Sequence, residues 1–197
     1  MSFRIEEKLS ISRENLLEFK EFLKKKKIKN IYHPRLIESL YFDNNSFQMS
    51  NDSEEGIVPR KKIRIRKYPN DNDSSIYQET KFSSVEGRFK QREKITLKEF
   101  NHKKSFGIFD SQYGQCLPNL FVKYEREYYI YEDVRISIDT NIDYKDFKTN
   151  RCFTESQIIV ELKTTINKNL DDLIENFPFQ RTRFSKYCLG VQKLYHK

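Results

Sequence analysis

The sequence predicts an α+β fold: an eight-stranded antiparallel β-barrel with a basic interior and helices packed outside. Three observations predict it. Short segments repeatedly alternate Arg or Lys with apolar residues, best seen in Lys62-Ile63-Arg64-Ile65-Arg66, and successive side chains on a strand point to opposite faces. Mostly short connections join these segments, as in antiparallel sheets. Helical stretches with an apolar side need an apolar surface to cover. The apolar strand faces therefore turn outward, and the charged faces line a tunnel.

Each element follows in order. Phe3, Ile5, Leu9 and Ile11 alternate with Arg4, Glu6, Lys8 and Ser10 as a first strand, with Glu7 the one break on its apolar face. Ser12 caps a helix through Lys27, with Leu16, Leu17, Phe19, Phe22 and Leu23 on its apolar side. A second strand covers 36–43, and the polar stretch 44–56 reads as a loop with room for one helical turn. The third strand, 59–68, ends at the turn Pro69-Asn70-Asp71-Asn72-Asp73. Strands follow at 75–83 and 89–97. The region 98–118 is mixed, with a short helix at its start. Strands six to eight cover 120–131, 135–141 and 156–165, and helices at 169–176 and 184–195 close the chain.

With 197 residues the chain is expected to form a single domain, 1–197. Its 16 Phe and 12 Tyr rule out a disordered chain. A net charge of +8 selects a polyanionic partner without choosing among nucleic acid, anionic membrane and polyphosphate. The three cysteines lack CxxC spacing and read as reduced thiols. No apolar run is long enough to span a bilayer, and the strand-like N-terminus carries no signal peptide. The expected location is the cytoplasm.

The candidate site grows out of strand parity. Lys62, Arg64 and Arg66 share one face, and the pattern returns at Arg88/Lys90/Arg92, Tyr124/Arg126, Arg135/Ser137/Asp139 and Glu161/Lys163. Like charges on neighbouring strands repel, so a face that collects so many calls for an anion. Arg64 and Arg66 are forked donors suited to phosphate, and Lys8, Lys81, Lys90, Arg92, Arg126 and Arg135 extend the face. Glu161 lies in the apolar strand Ile158-Ile159-Val160-Glu161-Leu162-Lys163; it is either an ion-pair partner or a ligand for a hard divalent metal. For Glu6, Glu79 and Asp139, ion pairing is the preferred reading. Ser185-Lys186-Tyr187 opens the last helix, whose N-terminus is a ready phosphate site.

Taken in order, these segments resemble the VTC domain, the polyphosphate polymerase domain of the vacuolar transporter chaperone in the triphosphate tunnel metalloenzyme (CYTH-like) superfamily. The matching pieces are Arg4-x-Glu6-x-Lys8, Ser39-Leu40-Tyr41-Phe42-Asp43, Arg60-x-Lys62-x-Arg64-x-Arg66-x-Tyr68, Glu79-x-Lys81 and Lys90-x-Arg92. Tyr124-x-Arg126, Arg135-x-Ser137-x-Asp139, Glu161-Leu162-Lys163 and Ser185-Lys186-Tyr187 complete them. The resemblance implies an eight-stranded tunnel that binds ATP and a polyphosphate chain. Lys8, Arg64, Arg66, Lys81, Lys90, Arg126, Arg135 and Lys186 would contact phosphates, and Glu161 would hold Mn or Mg. The nucleotide would lie against Arg64, Arg66, Tyr124, Arg126, Ser185 and Lys186.

The resemblance also implies that the terminal phosphate of the growing chain attacks, so no side-chain nucleophile is required. Hydrolases of the superfamily carry an ExExK signature where Arg4 replaces the first Glu, which favours the VTC branch over a triphosphatase. The chain is expected to lack the SPX and membrane domains of the eukaryotic complex, with any membrane partner a separate protein. Triphosphate hydrolysis and non-catalytic polyphosphate binding are the competing readings. Nucleic acid is not an expected partner, because the basic parity describes an interior too narrow for a duplex.

Overall fold

The computed structural model describes residues 5–71, 75–164, 170 and 180–195, with the side chain of Ile5 excepted. Its elements are β1 Ile5–Ile11, α1 Arg13–Lys25, β2 Lys29–Asp43, α2 Gln48–Glu55, β3 Arg60–Lys67, β4 Ile76–Ser84, β5 Gly87–Ile95 and α3 Leu97–Phe106. Then come β6 Ile108–Asp110, β7 Gly114–Tyr131, β8 Val134–Asp146, β9 Cys152–Glu155, β10 Ile158–Thr164, β11 Gln180–Arg181 and α4 Lys186–Tyr195. The helix expected over 169–176 and the strand position of Arg4 lie outside the described residues. Among the described residues no helix is long and apolar enough to cross a membrane. The three cysteines are free, as expected.

The expectation of an antiparallel sheet with helices holds, but the eight-stranded closed barrel does not. Eleven strands pair in the order β11-β1-β10-β8-β7-β2-β3-β4-β5, with β6 on β7 and β9 on β8, an open path among the described residues. The path stops at β5 for a physical reason. From Arg88 to Lys94 this strand is exposed throughout and carries charge on both faces, the usual protection of a free edge against further pairing. The other end, β11, is two residues long.

The chain divides into two compact units. The first comprises Met1–Arg35, Tyr124–Ile142 and Glu155–Phe184; the second comprises Leu36–Lys123, Asp143–Thr154 and Ser185–Lys197. In the first, β1 pairs with β10 and β10 with β8, both antiparallel. Their apolar faces supply Leu9, Ile11, Ile136, Ile138, Ile158, Val160 and Leu162 to one core, which Phe19 and Leu23 of α1 cover. Helix α1 starts where Ser12 accepts a hydrogen bond from the Asn15 N–H (3.2 Å), and Lys24 and Lys25 sit in its last turn, where the dipole favours cations. The apolar face thus packs against a helix, and the charged face is the opposite one, as the parity argument required.

In the second unit β2, β3, β4 and β5 pair in sequence, antiparallel. Helix α3 is held by a capping box between Thr96 and Glu99. The stretch expected to be a loop forms helix α2 instead. Its cap is remote: Asp43, at the end of β2, accepts from the N–H groups of Met49 (3.0 Å) and Ser50 (3.1 Å). Gly56 closes α2 at φ +80°, a conformation glycine adopts without a Cβ penalty. Helix α4 buries Tyr187, Cys188, Val191 and Leu194.

At Gly190 α4 lies so close to β7 and β8 that an added Cβ would stand 2.5 Å from Leu120 Cδ2 and 2.6 Å from Tyr144 Cδ1. Gly190→Leu is expected to lower stability by about 2 kcal/mol, the overpacking cost exceeding the gain in helix propensity. Urea unfolding of the purified variant checks this.

Candidate functional site

Strand register builds a cationic grid on one face of the second unit. Lys62 on β3 is opposite Lys81 on β4, which is opposite Lys90 on β5. The next row is Arg64, Glu79 and Arg92, and the next Arg66, Tyr77 and Lys94. Tyr41 and Ser39 of β2 stand opposite Arg64 and Arg66. Directly opposed residues share a face, so Arg64, Arg66, Lys81 and Lys90 come together as the sequence parity predicts.

Glu79 holds this grid. Its carboxylate is 1% exposed, and Oε2 accepts from Arg64 Nε (2.8 Å) and Nη2 (2.6 Å), with Arg66 Nη1 at 3.7 Å. Oε1 meets Lys90 Nζ at 3.2 Å and Arg92 Nε at 3.5 Å. Burial alone would raise its pKa, but the charges of Arg64, Arg66 and Lys90 hold it far below the usual carboxylate range. Ion pairing, the reading preferred for Glu79, is what the structure shows. Burial pushes Lys90 down, and the neighbouring Arg64 and Arg66 add to that against the pull of Glu79.

A second layer fixes the arginines. Arg64 Nη1 donates to the Tyr41 hydroxyl (2.9 Å), and Arg66 Nε donates to Ser39 Oγ (3.2 Å). Tyr41 stacks on Tyr187 of α4 with centroids 4.8 Å apart. The Tyr187 hydroxyl donates to Asp43 (2.7 Å) and accepts from Asn119 Nδ2 (3.1 Å). Burial would raise the Tyr41 phenol, yet Arg64, Arg66 and Lys186 bring it below its ordinary value. At the start of α4, Lys62 Nζ donates to Ser185 Oγ (2.8 Å), which also caps the Cys188 N–H (3.3 Å). Ser185 thus meets the grid through Lys62. Sequence reasoning placed Lys62 on the charged face without giving it a phosphate contact and missed the support from Tyr41, Asp43 and Tyr187. The alternation of Ser39, Tyr41 and Asp43 on one face was the available signal.

The first unit carries its own charged face. Glu6, Lys163 and Arg135 form one row across β1, β10 and β8, and Lys8, Glu161 and Ser137 the next. Arg126 forms a two-pronged pair with Asp139 (2.5 and 2.6 Å) and lies 3.8 Å from Glu161. Lys163 Nζ bonds Glu161 Oε2 at 2.9 Å, Lys8 lies 3.7 Å from Glu6, and the Arg126 guanidinium sits over the Tyr124 ring at 5.3 Å. Lys8, Tyr124, Arg126 and Glu161 are therefore gathered. Arg135 stands in the grid but is exposed, opposite Lys163.

Glu6 stands diagonally across β1 and β10 from Glu161. Burial and the neighbouring Glu161 carboxyl raise Glu6. Burial also works against ionised Glu161, but Glu6 and the charges of Arg126, Lys163 and Lys8 hold it well below the usual range. Carboxylates are hard oxygen donors of the kind Mg or Mn takes together with substrate phosphates. Among the described residues no group of three potential ligands forms. Asp139, nearest in chemistry, is committed to Arg126.

Glu79→Gln removes the buried counter-charge while keeping the volume. It is expected to cost about 3–5 kcal/mol at pH 7 by leaving the cations uncompensated. A carboxylate whose folded pKa is depressed contributes its stability above the unfolded pKa, about 4.3, and loses it as pH falls below that value. The gap between wild type and Glu79→Gln should therefore shrink between pH 5 and pH 3. Urea midpoints at the two pH values measure it.

The sequence profile of the VTC domain matches residues 3–195. No curated protein matches significantly. Among solved structures, the chain is similar to a Bacillus halodurans protein provisionally named an adenylate cyclase (TM-score 0.66, 15% identity, 99% of this chain and 100% of that one). It is also similar to PH1819 of Pyrococcus horikoshii OT3 (TM-score 0.63, 13% identity, 97% and 99% covered). A third, provisionally named an adenylate cyclase, is from Vibrio parahaemolyticus (TM-score 0.60, 12% identity, 96% and 98% covered). At such identities the likeness concerns the fold alone. With nearly its whole length matched by one family profile, the chain belongs to the VTC domain family.

Proposed function

We propose that this chain is an ATP-dependent polyphosphate polymerase, moving the γ-phosphoryl group of ATP onto the end of a polyphosphate chain. The observation that carries the reading is the cationic grid: Lys62, Lys81 and Lys90 stand opposite one another, and in the next row Arg64 and Arg92 flank the buried carboxylate of Glu79. Phosphoryl groups of high negative charge suit such a face, and bidentate donors such as Arg64 and Arg66 favour phosphate. In the transfer, a terminal chain oxygen attacks the γ-phosphorus, the bond to the β-phosphate oxygen breaks, and ADP leaves. Arg64, Arg66, Lys81, Lys90, Ser185 and Lys186 in the second unit, and Lys8, Tyr124, Arg126 and Arg135 in the first, bind and orient phosphoryl groups. Catalysis rests on positioning and charge neutralisation.

Glu161, with Glu6 beside it, would hold Mn or Mg, which when bound neutralises charge on the phosphoryl oxygens. ATP and polyphosphate are the partners of this reading, and the cytoplasm is its location.

Incubating the purified protein with ATP and Mn, then resolving products by chain length, tests the assignment. Long polyphosphate supports it, orthophosphate alone moves it to a triphosphatase, and tight binding without turnover moves it to a binding module.

Two further outcomes are expected. Tripolyphosphate at one hundred times its Kd should stabilise the folded state by about 2.7 kcal/mol, raising Tm by about 5–10 °C at low salt. Arg64→Ala combined with Arg66→Ala should shrink that rise; thermal melts with and without the ligand read both. Glu161→Gln should lose activity at limiting Mn while its circular dichroism and melting remain those of a folded protein. Full activity there would remove Glu161 as a ligand, and unfolding would assign it to ion pairing.

A further inference from the structure

The polar face of the first unit also holds aromatic rings that phosphate binding leaves unused. Tyr32 of β2 is 49% exposed, and its ring meets Tyr128 of β7 edge to face, with centroids 5.5 Å apart at 88°. The Arg35 guanidinium lies 5.1 Å from the Tyr32 centroid and 6.0 Å from that of Tyr128. Alternation fixes the face. Tyr129 and Tyr131 pack against the apolar core, so Tyr128 points the other way, together with Arg126.

Two residues along a strand span about 7 Å, which leaves room for one sugar ring between a phosphate at Arg126 and a base at Tyr128. Other tyrosines of this chain are tied through their hydroxyls: Tyr113 to Asp52, Tyr187 to Asp43 and Tyr129 to Glu127. Among the described residues no hydrogen bond holds the Tyr32 hydroxyl, and half of its surface is open. An exposed ring beside an arginine, on the same face as phosphate-binding cations, is the arrangement that stacks bases.

We infer that Tyr32, with Tyr128 and Arg35, is a stacking site for the nucleobase of a nucleoside triphosphate. The inference rests on reading the charged face of this unit as a phosphoryl-binding surface, and it deepens that reading by giving the base a place of its own. Stacking uses the π-face that every base has, so ATP and CTP are both accepted.

Calorimetric titration of the wild type, Tyr32→Ala and Tyr32→Phe with ATP and with tripolyphosphate tests it at fixed ionic strength. Tyr32→Ala should weaken ATP about tenfold and leave tripolyphosphate within about twofold of wild type, while Tyr32→Phe keeps the wild-type ATP affinity. Unchanged ATP affinity in Tyr32→Ala, or equal weakening of both ligands, overturns the stacking site. If the wild type binds ATP through Tyr32 but does not bind tripolyphosphate, the phosphoryl-binding reading falls and the stacking site stands. Failure of the wild type to bind either ligand overturns both.

Discussion

Repulsion between like charges governs both units, and the carboxylates buried among the cations are what make the charged faces tolerable. Two unit charges about 4 Å apart at an effective dielectric of 20 interact by about 4 kcal/mol, a large fraction of the stability of a typical domain. Lys62, Lys81 and Lys90 stand opposite one another in one row, and Arg64 and Arg92 flank Glu79 in the next. Glu79 offsets them by meeting four cations with its two oxygens. In the first unit Asp139 does this for Arg126, and Glu161 for Arg126 and Lys163. Each carboxylate keeps its cations in place ahead of a polyanion. On the proposed reading, a phosphate group at the grid meets donors already oriented, and little side-chain entropy remains to be lost.

Orientation of the arginines is a separate matter from charge, and the second unit handles it with a polar chain running away from the grid. Arg64 leans on Tyr41, Tyr41 stacks on Tyr187, and Tyr187 donates to Asp43. Asp43 at the same time caps α2. Burial pushes the Asp43 pKa up, and its hydrogen bonds from Tyr187, Met49, Asn44 and Ser50 counter that pull. One carboxylate thus joins β2, α2 and α4, none of which contributes a cation to the central row of the grid.

The period-two pattern made the charged faces legible in the sequence. Arg64, Arg66, Lys81, Lys90 and Glu161 each stand on the face that alternation assigns, because a strand offers a side chain two directions. What alternation does not encode is where a strand begins. The first part of β2, Lys29–Arg35, is mostly exposed on both faces and contains Pro34, so no contrast marks it. Helix α2 was invisible for another reason: its cap, Asp43, lies several residues upstream of Gln48, and the segment between reads as polar loop. The barrel expectation failed at β5, where charge on both faces makes an edge instead of a seam. The pairing of Glu6 with Lys163 and of Lys8 with Glu161 joins residues far apart in the chain, which no local pattern reports.

Helix α4 gives the second unit a temporal property. Three separated stretches of chain make up that unit, and Tyr187 and Ser185 reach back to Tyr41, Asp43 and Lys62. During synthesis β2 and β3 emerge well over a hundred residues before the segment that braces them. Until α4 arrives, Asp43 has no phenol to accept from, and Lys62 has no serine to hold. The emerging chain therefore displays its lysines and arginines while their bracing is incomplete. In that interval Tyr41, Asp43 and Lys62 lack the partners that the final helix brings.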